Sequence, residues 1–212
     1  MIEITLIRHA LAEINLADKD IIKGRCAESP LIKLGIEQAR LLGDRFNLER
    51  KNFDIVYSSP LVRAYDTAKI VCPYIGYPLD RIILVDDLTE ISFGDLDGKK
   101  WSDIPNDEIR KRELLGYDYV WPNGESKRDV AIRLSRWFNE ELFSEENLRK
   151  AHNKKLEIAA FTHNYIINTL LRLILKTPQG SNIFDIENTS LTQINYDSSL
   201  VIHKVNDYSH LV

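Results

Sequence analysis

The chain has 212 residues, with 28 lysines and arginines, 32 aspartates and glutamates and a formal net charge of −4. This length allows one large domain with a sizeable core or two small domains. With 44% hydrophobic residues, nine glycines and seven prolines, the composition excludes a disordered or collagen-like chain. The mild negative charge, without a basic stripe, argues against a dedicated nucleic-acid binder.

The apolar runs are short, and none approaches the roughly 20 residues needed to cross a bilayer. The sequence enters a strand-like segment directly, with no signal-peptide pattern ahead of it. We therefore expect a cytoplasmic protein that does not bind membranes. Cys26 and Cys72 have no metal-ligand spacing and are expected to be reduced thiols.

Short β-branched runs alternate with longer segments of helical period, which is typical of an α/β fold. We predict a three-layer sandwich, with a mostly parallel central sheet and helices on both of its faces. The predicted strands, in chain order, are Ile2–Ile7, Phe53–Tyr57, Ile82–Val85, Leu156–Phe161, Leu191–Tyr196 and Leu200–Val205. The last two are expected to form a hairpin, because only a short polar segment separates them.

Four amphipathic helices are predicted between these strands. The first is marked by apolar residues at helical spacing from Leu31 to Phe46. The second is expected after Ser58-Ser59-Pro60, with a serine N-cap and a proline in the first turn. The other two are marked by Val130, Leu134, Trp137 and Phe138, and by Ile166, Ile167, Leu170, Leu171 and Ile174.

Residues 90–126 are rich in charged residues, glycine and tryptophan and have no clear period. Loops of this length in a compact domain are usually functional. We interpret the segment as a cap-like insertion over the carboxyl ends of the strands, within a single domain spanning residues 1–212.

Chemically capable residues follow four of the predicted strands. Arg8 and His9 come directly after the first strand, and His163 follows the fourth. Arg63 lies in the first turn of the helix after the second strand, where a helix N-terminus favours anions. Glu90 opens the loop after the third strand. In an open α/β sheet ligands bind beyond the carboxyl strand ends, and arginines and histidines there predict a phosphoryl-transfer pocket.

Other polar residues are expected to be structural. His152, His203 and His210 are interpreted as structural or solvated, and His210 is expected to have no part in the site. Glu125 precedes a predicted helix, where a carboxylate commonly serves in capping.

The motifs also follow the order of those in a known family. They are Leu6-Ile7-Arg8-His9, Ser29-Pro30-Leu31 with Gly35, Ser58-Ser59-Pro60-Leu61-Val62-Arg63-Ala64 with Thr67-Ala68, Leu88–Gly98, Gly124-Glu125-Ser126 and Thr162-His163. This series resembles the signatures of the histidine phosphatase superfamily, in particular its phosphoglycerate-mutase-like branch.

The resemblance implies a role for each residue at the strand ends. His9 would be the nucleophile that takes the phosphoryl group, and Glu90 would protonate the leaving oxygen and later activate water. Arg8, Arg63 and His163 would hold the phosphate oxygens. We expect His163 to be protonated, so that it and the two arginines supply the positive charge without a metal or other cofactor.

Three further residues are expected to contact the substrate. Asn15 stands six residues after His9, where the family has an asparagine, and Arg25 is a candidate phosphate contact. Asn164 follows His163 in place of the common glycine or alanine and can add a hydrogen bond to the ligand.

The sequence departs from the family after His9. Ala10 replaces the usual glycine, so the backbone there must adopt ordinary dihedral angles or be displaced. Leu11 and Ala12 replace the usual Glu-Thr, which removes a polar wall of the expected pocket.

We expect a phosphatase acting on a small soluble phosphomonoester. The chain is shorter than the mutases that it resembles and ends soon after its last strand, and a mutase needs segments that exclude water. A cofactor-dependent phosphoglycerate mutase is the first alternative, and a non-catalytic phosphate-binding or interaction module is the second. The sequence leaves the substrate and the oligomeric state open.

Overall fold

The computed structural model describes residues 1–26, 28–177 and 183–212. These residues form a six-stranded sheet of order β3-β2-β4-β1-β5-β6. The strands are β1 (Ile2–Arg8), β2 (Ile55–Ser58), β3 (Ile83–Leu84), β4 (Leu156–Thr162), β5 (Leu191–Tyr196) and β6 (Leu200–Asp207). Strands β1 to β4 pair in parallel, and β5 pairs antiparallel with both β1 and β6. The predicted mostly parallel sheet and its final hairpin are therefore confirmed.

Helices cover both faces of this sheet. The α-helices in the described part of the chain are α1 (Glu13–Leu16), α2 (Lys33–Leu48), α3 (Val62–Val71), α4 (Asn106–Leu115), α5 (Lys127–Trp137), α6 (Glu145–Asn153) and α7 (Asn164–Leu175). One apolar core lies under α2 and α3, and another lies under α5 and α7. None of the helices in the described part of the chain is long and apolar enough to span a membrane.

Successive side chains of the central strands alternate between the two apolar cores. On β4, Ile158 and Ala160 belong to the core under α5 and α7, while Ala159 and Phe161 belong to the core under α2 and α3. Successive side chains of a strand point to opposite faces, and a strand covered on both sides is apolar throughout. This explains the unbroken apolar run in β4.

Two local predictions need correction. The third strand is limited to Ile83–Leu84, because it lies at the edge of the sheet and both side chains are exposed. Helix α3 begins at Val62, and its N-cap is Leu61 instead of a serine. The hydroxyl group of Ser59 accepts a hydrogen bond from the Leu61 N–H at 3.3 Å, which shapes the turn before the helix.

Residues 90–126 consist of short 3-10 turns and α4. Their apolar side chains pack into a third, smaller core around Ile104, Tyr119 and Trp121, which also takes up Ile22. Gly94 joins the two ends of the segment: its φ is +58°, and a Cβ atom there would lie 2.1 Å from the carbonyl oxygen of Pro122. Since only glycine fits this approach, Gly94 allows the two ends of residues 90–126 to meet.

Candidate active site

The sheet register places the two motif histidines side by side. Arg8 on β1 lies opposite Thr162 on the parallel strand β4, so that His9 and His163 leave the sheet together. The His9 N–H donates to the Thr162 carbonyl at 2.9 Å, and the two imidazole centroids are 5.1 Å apart. The predicted meeting of these histidines follows directly from strand pairing.

A cavity of about 420 Å³ lies above these strand ends. Its lining residues are Arg8, His9, Ile14, Asn15, Lys19, Ile21, Lys23, Gly24, Arg63, Glu90, Ile91, Phe93, Trp101, Asn164 and Tyr165. The cavity therefore gathers six of the residues singled out in the sequence, and His163 is buried next to His9.

His9 has a defined tautomer. Its Nδ1 lies 2.8 Å from the carbonyl oxygen of Ala10. A carbonyl can only accept, so Nδ1 carries the proton and Nε2 keeps its lone pair. Burial, followed by the charges of Arg8 and Arg63, lowers the pKa of His9 well below its usual value. The imidazole is thus neutral at neutral pH, as an attacking nitrogen must be.

His163 favours the neutral form in the ligand-free site. Burial, followed by the Arg63 charge, lowers the pKa of His163 well below its usual value, and a protonated His163 with phosphate bound stays a prediction. Its Nε2 lies 2.8 Å from Ser59 Oγ. The Ser59 hydroxyl oxygen already accepts a hydrogen bond from the Leu61 N–H. We assign the Ser59 hydroxyl hydrogen to a bond with His163 Nε2, which places the proton of His163 on Nδ1.

Two guanidinium groups flank the histidines. Arg63 is buried and donates to the carbonyl groups of Cys26 at 3.0 Å and Gly24 at 3.2 Å, and Arg8 donates to the carbonyl of Ile186. Burial lowers the pKa of both arginines, yet a guanidinium stays protonated in proteins. Among the described side chains, Arg8 Nε, Arg63 Nε and His163 Nδ1 are buried without a hydrogen-bond partner.

Glu90 lies at the N-terminus of α7. Its carboxylate accepts from the Ile91 N–H at 3.0 Å and from the Tyr165 N–H at 3.4 Å. Burial raises the pKa of Glu90 and outweighs these hydrogen bonds and the Arg63 charge. The raised pKa favours a carboxyl group that holds a proton nearer neutrality than an exposed glutamate does.

Arg25 does not line the cavity. Its guanidinium lies 3.0 Å from Glu125 Oε1, and its Nε donates to the Glu90 carbonyl at 3.0 Å. Glu125 also accepts from Arg133 Nε at 2.9 Å and from the Ser92 N–H at 3.1 Å. The role of Glu125 is structural, as expected, but it is not the expected capping, because Ser126 is the N-cap of α5 and forms a capping box with Asp129. A phosphate contact for Arg25 stays a prediction.

Asn15 and Asn164 line the cavity, and the side-chain oxygen of each already accepts a hydrogen bond from the protein. Asn15 Oδ1 accepts the Ala12 N–H at 2.9 Å, and Asn164 Oδ1 accepts from Asn168 at 2.9 Å. Since each side-chain oxygen already has a donor, the amide N–H groups are the parts of these side chains suited to an anion.

The backbone after His9 tolerates Ala10 without positive φ. The Ala10 N–H donates to Thr67 Oγ1 at 2.9 Å, and the Thr67 hydroxyl donates to the Arg63 carbonyl at 2.6 Å. Thr67 therefore ties the loop of His9 to the helix turn that carries Arg63. The sequence motif contains Thr67, but only the structure shows this link.

Further residues at the site were not predicted from the sequence. Lys19 and Lys23 line the cavity and add positive charge to it. Asn188 donates from Nδ2 to the His9 carbonyl at 2.8 Å, and the Thr189 N–H donates to the Arg8 carbonyl at 3.1 Å. The signal was weak: an Asn-Thr-Ser turn just before a predicted strand.

A second cavity of about 380 Å³ adjoins the first, and we call it the annex. It shares Ile91, Phe93, Trp101 and Tyr165 with the first cavity. The rest of its lining is Arg112, Glu113, Gly116, Tyr119, Trp121, Glu125 and Lys127. An apolar, largely aromatic cleft with a few charged groups beside a reactive centre is typical of a ligand pocket.

Comparisons with known proteins agree with this geometry. The chain is 31% identical over 201 residues to a candidate phosphoserine phosphatase of Hydrogenobacter thermophilus, covering 91% of this chain and 88% of the relative. It is 30% identical over 185 residues to the 2,3-bisphosphoglycerate-dependent phosphoglycerate mutase of Rhizobium etli, covering 84% of this chain and 82% of the relative. A variant of the phosphoserine phosphatase of Entamoeba histolytica, in complex with phosphoserine, has the same fold, with a TM-score of 0.71, 27% identity and 100% coverage of both chains.

A family model described as the histidine phosphatase superfamily (branch 1) matches residues 4–207. This match spans nearly the whole chain and confirms the family resemblance of the motifs. The chain belongs to the histidine phosphatase superfamily, branch 1.

Proposed function

We propose that this chain is a phosphatase that hydrolyses small phosphomonoesters through a phosphohistidine on His9, with Glu90 as general acid and base. One observation carries the proposal. Three buried nitrogens without partners, Arg8 Nε, Arg63 Nε and His163 Nδ1, accompany a neutral histidine whose Nε2 is unprotonated. Donors arranged in this way suit phosphoryl oxygens.

In the first step, the Nε2 lone pair of His9 attacks phosphorus and the bond from phosphorus to the leaving oxygen breaks. The Glu90 carboxyl group gives its proton to that oxygen. In the second step, Glu90 takes a proton from water, whose oxygen attacks phosphorus and returns the nitrogen–phosphorus electron pair to His9. Inorganic phosphate and the neutral imidazole result.

Charge neutralisation in this mechanism comes from the protein. Arg8 and Arg63 offset the phosphate charge, and the Nδ1–H of His163 adds a neutral donor. A bound dianion would also favour protonation of His163, because it opposes the effect of the two arginines. The proposal therefore needs neither a metal nor a permanently charged His163.

Two alternatives remain to be tested. A phosphoglycerate mutase is the first, because several relatives carry that name. A mutase must keep water from its phosphohistidine. The part of the chain that the structure describes leaves the cavity above His9 open, and this favours hydrolysis. The second alternative is a non-catalytic phosphate-binding module. Such a module does not need a carboxyl group of raised pKa, such as Glu90, next to a neutral histidine.

Turnover and trapping test the proposal. We expect p-nitrophenyl phosphate hydrolysis that EDTA does not reduce, and an acid-labile phosphoenzyme after rapid quenching with a labelled ester. His9→Ala should abolish the phosphoenzyme, whereas the exposed control His152→Ala should keep it. Inactivity on a broad panel of phosphomonoesters would refute the phosphatase. Conversion of 3- to 2-phosphoglycerate that depends on 2,3-bisphosphoglycerate would favour the mutase.

A further inference from the structure

The carboxyl end of β1 is held from outside by the segment before β5. The Thr189 N–H donates to the Arg8 carbonyl at 3.1 Å, and Asn188 Nδ2 donates to the His9 carbonyl at 2.8 Å. Thr189 is fully buried and has a φ of 58°, which a β-branched residue rarely adopts. Such a conformation persists only where neighbouring contacts hold it.

His210 supplies one of these contacts. Its Nε2 lies 2.9 Å from Thr189 Oγ1, and the Thr189 hydroxyl donates to the Asn188 carbonyl at 2.7 Å. A hydroxyl has a single hydrogen, so His210 Nε2 must be the donor to Thr189. His210, which was expected from the sequence to have no part in the site, is thus two hydrogen-bonded links away from the His9 main chain.

The other ring nitrogen of His210 agrees with this assignment. Arg45 NH1 lies 3.5 Å from His210 Nδ1, and because arginine can only donate, Nδ1 must accept. Arg45 is in turn fixed by Asp207 at 2.7 Å and by Glu49 at 2.8 Å. Burial and the Arg45 charge lower the pKa of His210 to about 4, so the required neutral tautomer is present at neutral pH.

We propose that His210 is a positioning residue for His9, acting through Thr189 and Asn188 on the carbonyl groups of Arg8 and His9. The inference rests on the proposed function, in which His9 is the nucleophile. His210 does not line the cavity and touches no reacting atom. Its effect is on the placement of the attacking nitrogen, where a shift of about 1 Å can cost about a hundredfold in rate.

Two substitutions of His210 separate positioning from packing. His210→Phe keeps the size of the ring and removes both hydrogen bonds, whereas the amide nitrogen of His210→Gln can replace the Nε2 donor. We expect His210→Phe to lower kcat for p-nitrophenyl phosphate about tenfold or more, with a much smaller change in KM. His210→Gln should restore most of the loss. His203→Phe, an exposed substitution on β6, is the matched control and should keep the wild-type kcat.

A second measurement does not depend on turnover. In the ¹⁵N NMR spectrum, the imidazole resonances of His9 should shift in His210→Phe and stay in place in His203→Phe. Thr189→Val cuts the same link, so its loss in kcat should not add to that of His210→Phe in the double variant. If His210→Phe does not fold, His210→Gln and Thr189→Val carry the same comparison.

The outcomes are distinct. Equal kcat in the Phe and Gln variants with an unmoved His9 resonance would overturn the positioning role. A wild-type protein without phosphatase activity or phosphohistidine would overturn the proposed function, and the His9 resonance would still decide whether His210 positions that ring.

Discussion

Arg133 and Glu125 form an ion pair directly behind the segment that carries Glu90, with Arg133 Nε 2.9 Å from Glu125 Oε1. Arg133 is only 8% exposed, and its remaining N–H groups donate to the carbonyl groups of Asp87 and Thr89, the latter at 2.8 Å. The pair therefore fixes the backbone on both sides of the turn that presents Glu90 to the cavity. Its role is structural, but it acts on the proposed general acid.

We expect Arg133→Met to lower the free energy of unfolding by about 3 kcal/mol, because the substitution takes one of two cations from the partly buried Glu125 and also removes the donor to the Asp87 and Thr89 carbonyl groups. Arg136→Met on the same helix is the control. Arg136 pairs with Asp87 but is 55% exposed, so its loss should cost less than about 1 kcal/mol. Urea unfolding measures both values, and equal losses would contradict the assigned importance of the Arg133 pair.

Glu90→Gln should reduce hydrolysis of alkyl phosphates about a hundredfold or more and hydrolysis of p-nitrophenyl phosphate far less. A poor leaving oxygen needs the proton that Glu90 gives, whereas p-nitrophenolate is stable without it. The measurement is kcat/KM across a series of esters of increasing leaving-group pKa, with exposed Glu37→Gln as control. A uniform loss over the series would reject the acid role.

The pH dependence follows from two opposite pKa shifts. His9 must be deprotonated, and its lowered pKa places the acidic limb of the profile below pH 6.5. Glu90 must be protonated, and its raised pKa places the alkaline limb above pH 4.5. For an alkyl phosphate, we expect kcat/KM to fall on the alkaline side as Glu90 loses its proton, and this limb should vanish in Glu90→Gln. The second ionisation of the substrate phosphate, near pH 6, is common to both enzymes and cancels in the comparison. An unchanged alkaline limb in the variant would assign that limb to another group.

The annex predicts a preference for substrates with a second negative charge. Lys127 is half-buried and opens α5, where the helix dipole disfavours a cation, and its pKa is lowered by burial and by the charges of Arg112 and Arg172. Among the described residues no acidic side chain forms an ion pair with Lys127. An anionic group on the leaving alcohol would give Lys127 an ion-pair partner.

We therefore expect Lys127→Met to raise KM about tenfold for an ester that carries a carboxylate, such as phosphoserine, and to leave KM for p-nitrophenyl phosphate unchanged. Lys111→Met on α4 is the control, because Lys111 is 59% exposed and pairs with Glu108. A parallel rise in KM for both esters would indicate a general electrostatic effect instead of a subsite.

What could be predicted from the sequence depended on local signals. The sheet and the meeting of His9 with His163 followed from apolar runs and from residues at their ends, because parallel strands align their carboxyl ends at one edge. The predicted serine N-cap of α3 was wrong because the helix begins later, with Leu61 as its N-cap. Ser59 Oγ also contacts His163 Nε2, and this contact between residues 104 positions apart is contained in no local pattern. Tertiary contacts also set the charge of His163, since burial and Arg63 act on it only after folding.

The annex and the hydrogen-bonded chain from His210 to His9 could not be predicted from the sequence for the same reason. Their residues come from separate segments. The annex joins residues 91–127 to the start of α7, and the hydrogen-bonded chain joins α2, the turn before β5 and the segment after β6. None of these segments has a period or a motif that signals the contact. A long insertion predicts that something is built above the sheet, but its packing decides what that is.

Acid should destabilise the protein through its buried histidines. The pKa values of His9, His163 and His210 are all lowered by folding, that of His210 to about 4. Between these values and the ordinary 6.5 the unfolded chain binds more protons than the folded one, so stability falls as the pH falls. We expect Tm to decrease from pH 6.5 towards pH 4, and less steeply in His210→Phe, because one of the protons taken up on unfolding is removed. The exposed substitution His152→Phe should keep the wild-type slope, and an unaltered slope in His210→Phe would show that His210 is already charged in the folded protein.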